Sequence, residues 1–96
     1  MDAEERAKAA RLTRERMTIL RAVEAALSRY REVAEAIAES SDRRAAITAV
    51  GTLLDVDETP ARAVVELQWG RLSRDTRAGV TEELEQLGRE LEALES

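Results

Sequence analysis

Val80, Leu84, Leu87, Leu91 and Leu94 follow one another at spacings of four, three, four and three. That is a heptad seam, the stripe along which one helix packs against another. It constrains the fold strongly, because a helix cannot satisfy its own seam and must find a matching one. Within the chain the N-terminal arm is the segment available, with Leu12, Ile19 and Val23 as the seam opposite Leu84, Leu87, Leu91 and Leu94. The charges agree with that pairing. The chain has 96 residues, 15 basic and 20 acidic, for a net charge of -5. The whole imbalance lies in residues 81–96, where Arg89 stands against six glutamates. Residues 6–16 hold Arg6, Lys8, Arg11, Arg14 and Arg16 against Glu15 alone. A basic start and an acidic end attract each other across an antiparallel helix pair, although two separately solvated faces would carry the same charges.

The rest of the chain reads as helix too. Alanine supplies 17 residues, glycine four and proline one, and no alternating β-branched or aromatic run suggests a strand. A first helix is expected from about Ala3 to Glu39. Its packed seam is Val23, Ala26, Tyr30, Val33 and Ile37, which puts Tyr30 in the core. Ser40-Ser41-Asp42 ends it and caps a second helix that runs to Leu53 or Leu54. Asp55 to Thr59 form a turn, with Thr59 as cap and Pro60 at the first helical position. The third helix, Pro60 to Leu72, carries Val64, Val65, Leu67, Trp69 and Leu72 over an arc of roughly 200°. Either it is wholly central to one core, or one flank faces a second chain. Ser73 to Thr76 recap, and the fourth helix bears the leucine seam, weakened by Gly79 and Gly88 by about 1 kcal/mol each.

Composition removes many chemistries. Without histidine or cysteine the usual zinc sites, disulfides and imidazole-based triads cannot be built, so neither a metal nor a cofactor is expected. Tyr30 and Trp69 are the two aromatics, too few for a single-strand stacking platform. The glycines at 51, 70, 79 and 88 are isolated and make no phosphate loop. The carboxylates cluster on a charged helix face, whereas acid–base catalysis would need burial. No apolar run near the start suggests a leader, and none reaches a membrane span, so the cytoplasm is the expected compartment.

Two functional patterns remain. A helix-turn-helix DNA-binding regulator could occupy Ala46 to Leu72, with Arg62, Gln68 and Arg71 on its reader. That reader also carries Glu66, and the turn would bring Asp55, Asp57 and Glu58 towards phosphates, the wrong sign for a recognition helix. A small helical chorismate mutase-like enzyme would need inward-facing cations, but the arginines of the first helix sit mostly off its apolar seam, and Lys8 is the lone lysine.

A longer pattern spans Ile19 to Leu84. Ile19-Leu20-Arg21-Ala22-Val23-Glu24-Ala25-Ala26-Leu27 is similar to a segment written ILEGLxxAL. Val33 through Ile37 to Glu39-Ser40 is similar to DEVIxxIRxS, and the uninterrupted stretch from Leu54 to Ser73 to FGLSExQAxAILDMxLxxLT. Val80 with Glu83-Leu84 closes the series. In this gapless order, over about two thirds of the chain, the stretch resembles the C-gate region of the bacterial DNA gyrase A subunit and its topoisomerase IV counterpart. Pro60, Leu67 and Trp69 depart from the family's usual residues, and the aromatic usual at Leu54 is missing. Nothing matches the family's DNA-cleaving tyrosine, and Tyr30 does not correspond to it.

The resemblance implies an all-α single domain, 1–96. A long antiparallel helix pair, with coiled-coil arms at 1–18 and 85–96, is capped by a small helical knob within the C-gate-like region 19–84, making four helices in a homodimer. It implies a non-enzymatic exit-gate module, with gyrase or topoisomerase subunits as possible further partners. The dimer contact is expected at Leu53, Leu54, Val56, Val64, Leu67 and Trp69. Direct nucleic-acid binding is disfavoured unless the basic arm escapes its acidic partner.

Overall fold

The computed structural model describes the backbone of residues 1–67 and 74–96, and the side chains of 1–67 and 78–96. Trp69 and Leu72 lie outside the described residues. Among the described residues the chain is all-α, with five helices: α1 Ala3–Ser28, α2 Tyr30–Ala38, α3 Arg43–Leu54, α4 Glu58–Glu66 and α5 Arg74–Glu95.

The expected first helix is therefore two. The break is at Arg29, whose backbone leaves the helical region (φ -124, ψ 35). No proline or glycine marks it. Arg29 instead makes contacts that a straight helix would forgo. Its guanidinium donates to the Leu53 carbonyl at 3.1 Å and makes two bonds to Glu32, at 3.2 and 2.6 Å. The Leu53 carbonyl is one of the last-turn oxygens of α3 that have no partner in their own helix. The break folds α2 back along α3, so that Val33 is fully buried with Val50 and Val64.

Local chemistry sets the other boundaries. The Asp2 carboxylate accepts from the Glu5 N–H at 2.7 Å to start α1, and Asp42 accepts from the Ala45 N–H at 2.8 Å to start α3. α3 ends at Asp55 in the left-handed region (φ 54, ψ 52), where the N–H groups of Asp55 and Val56 both donate to the Gly51 carbonyl. α4 starts at Glu58, two residues before the expected Pro60, with Asp57 in the cap position. Pro60 still falls in the first turn, where its missing N–H leaves no bond unmade.

α1 and α5 run antiparallel. Gly88 faces the end of the Met17 side chain, and the Thr81 hydroxyl donates to Glu24 at 2.8 Å. One heptad forward in α1 is thus one heptad back in α5. Arg14 pairs with Glu95, and Arg16 with Glu83 at 3.2 Å, so the basic start does meet the acidic end. All four side chains are about half exposed, so each pair contributes about 0–1 kcal/mol. The apolar seam carries the pairing: Met17, Leu20 and Leu84 are buried, with Val80, Leu87 and Leu91 packed on them.

The α1 side of that seam is not the expected one. Leu12 is 51% exposed. It lies five residues from Met17, about 140° around the helix, and cannot face α5. Ala10, Met17 and Leu20 do so instead. Val23 is buried, but in the knob cluster with Ala22, Ala26, Leu27, Ile47 and Ala61, and Ile19 is half-buried. α1 thus has two apolar stripes, since Met17 and Ala26, nine residues apart, are roughly half a turn apart in angle. One stripe meets α5 and the other meets the knob. Leu87, Leu91 and Leu94 are half-buried on α5.

The knob is α2, α3 and α4 folded on the end of α1. Arg43 at the start of α3 pairs with Glu66 at the end of α4, so these two helices form an antiparallel hairpin. The molecule measures 48 × 27 × 17 Å, with a radius of gyration of 15.1 Å. A compact chain of this length would have about 12.5 Å, so the arms extend well beyond the knob.

Candidate interaction surface

The residues expected to form one contact do not share one place. Val64 is fully buried inside the chain's own core, so its side chain is unavailable to a second chain. Leu53, Leu54 and Val56 are half-buried against that core at the turn between α3 and α4. Leu67 is also half-buried, but it follows Glu66 at the other end of the hairpin, on the order of 15 Å away by helix rise. Trp69 lies outside the described residues. The set divides because α3 and α4 form an antiparallel hairpin, which puts Leu67 at the opposite end from Leu53, Leu54 and Val56.

The turn end is the more elaborate of the two. Arg29 holds it together by joining the α1–α2 elbow to the last turn of α3. Its hydrogen bond to Glu32 raises the guanidinium pKa, and the same bond holds the Glu32 carboxyl below the ordinary glutamate range. Beside it, Tyr30 is 49% exposed rather than in the core. The Arg31 guanidinium lies along it, with Nε donating to the Tyr30 hydroxyl at 3.3 Å and Cζ 5.8 Å from the ring centroid. Hydrogen bonding and the charge interaction with Tyr30 raise the Arg31 pKa.

An open groove of about 640 Å³ runs between α3 and the start of α4. Arg44, Thr48, Thr52, Asp55 and Glu58 rim it, and Ile47, Gly51, Val56 and Ala61 form its floor. The other patterns considered find little here. Among the described residues no charged or polar side chain is buried, so the inward-facing cations a chorismate mutase-like site needs are not among them. On α4, Arg62 donates to Glu58 at 2.6 Å and Glu66 pairs with Arg43, both as exposed ion pairs. No cluster of three or more metal-ligating side chains occurs among the described residues, and no helix there is long and apolar enough to cross a membrane.

No protein-family model and no curated protein matches the chain. The surface is defined by its own residues. Tyr30 and Arg31 are the ones that sequence reasoning missed as surface groups. Tyr30 keeps the helical spacing of Val33 and Ile37 and reads as core until the break at Arg29 is known.

Proposed function

We propose that this chain is a non-enzymatic homodimeric module of the kind represented by the gyrase C-gate: a helix-pair stalk carrying a knob that meets the knob of a second copy. The observation that carries this reading is the architecture. A long antiparallel pair, α1 with α5, ends in three short helices whose outer rim, Leu53, Leu54 and Val56, is only half covered by the chain itself. Exposed area adds support. The chain exposes 6669 Å², roughly 1,200 Å² more than the ~5,500 Å² expected of a compact chain of its mass. A standard interface removes about 800 Å² from each partner. Because the resemblance extends to a family that gates DNA passage, the proposed role is a topology-associated interaction protein that can also pair with gyrase or topoisomerase subunits.

The first test is mass in solution. Light scattering at micromolar concentration should give twice the chain mass of 10.7 kDa, and a constant monomer mass would overturn the reading. Co-purification with the gyrase A subunit from the same cells tests the wider role. Retention supports it, and its absence overturns that part alone.

A further inference from the structure

We infer that the elbow end of the knob, Tyr30 with Arg31 beside Leu53 and Leu54, is a self-complementary docking surface for a second copy of this chain. The inference rests on the homodimeric reading and says where and how the copies meet. Tyr30 lies on the stripe of α2 that also carries Val33 and Ile37, three and seven residues on. Those two turn into the core, fully buried and half-buried. Tyr30 is at the open end of the stripe, where 49% of it stays exposed. The Arg29 bond to the Leu53 carbonyl, at 3.1 Å, puts the end of α3 at the same place, and Leu53 and Leu54 there are half-buried. The ring is already held by Arg31, through the 3.3 Å hydrogen bond and the 5.8 Å stacking distance. A pre-ordered aromatic loses less freedom on binding, and tyrosine and arginine are enriched among the residues that dominate interface energy.

Charge selects the occupant. This end carries Arg31 as a cation and, in the turn just past Leu54, Asp55 and Asp57 as anions. All three are exposed, and none has an ion-pair partner among the described residues. Arg29 and Glu32 are committed to each other. Across a two-fold axis, residue i of one copy meets j of the other while j meets i. A patch with one sign of charge repels itself in that arrangement. A patch that carries both signs, Arg31 against the acidic turn at Asp55, forms Arg31–Asp55 contacts twice, around a centre made of two Tyr30 rings and the leucines.

Sedimentation equilibrium on the full chain tests this. Tyr30→Ala should weaken dimerisation by about thirty-fold or more, the scale of a dominant interface residue, with helical content by circular dichroism unchanged. Arg31→Asp and Asp55→Arg should each be monomeric alone, because each opposes like charges twice. Mixed in equal amounts they should reassociate, since both contacts are then between opposite charges. If Arg31→Asp loses helicity, Arg31→Gln replaces it and should weaken the dimer without abolishing it. A wild type that is monomeric overturns the homodimeric reading and this one together. A dimeric wild type with undiminished Tyr30→Ala and Arg31→Asp overturns this inference alone, and so does a mixture of the charge variants that fails to reassociate.

Discussion

Three glycines sit inside the described helices, and a methyl group added at each meets a different environment. Gly51 is in α3, and Gly79 and Gly88 are in α5. At Gly79 nothing lies within 4 Å of the added carbon, and at Gly88 the nearest atom is the Met17 methyl at 3.8 Å. At Gly51 the Val56 carbonyl oxygen is 3.1 Å away and the Ala61 methyl 3.6 Å. Glycine to alanine in a helix interior recovers about 0.8–1.0 kcal/mol, partly by narrowing the unfolded ensemble. Gly79→Ala should therefore stabilise by about 1 kcal/mol. Gly88→Ala should match it, with a few tenths more from the new contact with Met17, out of the ~0.8 kcal/mol of a fully buried methylene. Lying about 13 Å apart along the helix, the two should add to roughly 2 kcal/mol, which for a domain of this size raises the melting temperature by about 8–16 °C. Gly51→Ala has the same intrinsic gain but strikes a backbone atom. The Val56 carbonyl belongs to a turn whose Asp55 and Val56 N–H groups are both tied to the Gly51 carbonyl, so it cannot swing away without stretching them. Overpacking of this kind costs about 1–3 kcal/mol, and the net effect should lie between neutral and about 2 kcal/mol destabilising. The assay is urea unfolding followed by circular dichroism, at one fixed protein concentration because association would add its own stability. A Gly51→Ala variant stabilised as much as Gly79→Ala would refute the reasoning, because identical propensity with no steric difference would then suffice.

Other substitutions probe the remaining features. Leu20→Ala removes a side chain that is 5% exposed and should cost about 2–4 kcal/mol, whereas Leu12→Ala should change stability by less than about 0.5 kcal/mol; chemical denaturation of both reads out which stripe of α1 meets α5. Asp55→Gly relieves the left-handed backbone at φ 54 and should stabilise the single chain by about 0.5–1 kcal/mol, measured by urea unfolding at a dilution where no association occurs. The Glu32 carboxyl is held low chiefly by its hydrogen bond to Arg29, so the unfolded chain takes up that proton more readily than the folded one. Its stabilisation is complete above the ordinary glutamate range and is lost as pH falls through the lower folded value. Glu32→Gln should accordingly flatten the acid limb of stability against pH while leaving the slope above it unchanged, and an acid limb identical to wild type would show that the pair adds nothing.

What could be read before any coordinates was the kind of element and several of its ends. The all-helical composition, the Asp42 cap and the leucine seam of α5 each rest on local chemistry that a neighbouring residue can decide. The break at Arg29 could not be read that way, because the contacts it makes are long-range, to a carbonyl twenty-four residues on, at Leu53. Periodicity survives a one-residue interruption, so Tyr30 kept the spacing of a core residue while the fold left it at an open end. The scattering of Leu53, Leu54, Val56 and Leu67 has the same origin, since spacing along a hairpin carries no information about which end of it a residue occupies.

The two stripes of α1 make the limit plainest. Leu12, Ile19 and Val23 form as regular a series as Ala10, Met17 and Leu20, and the first is the more apolar. Angle around the helix separates them, and the second series is the one that faces α5. Where α5 lacks a side chain, at Gly88, α1 supplies the long, flexible Met17, whose methyl reaches to 3.8 Å from where a β-carbon would stand. Small residues such as Ala10 line the same stripe, and the half-buried Leu94 from α5 lies beside it. Gly88 weakens its own helix by about 1 kcal/mol, and the space between it and Met17 still admits a methyl group at ordinary contact distance. Met17, Leu20 and Leu84 hold the seam together, and the two ion pairs at its edges orient it rather than hold it. That leaves Leu12 about half exposed on the side of α1 turned away from α5.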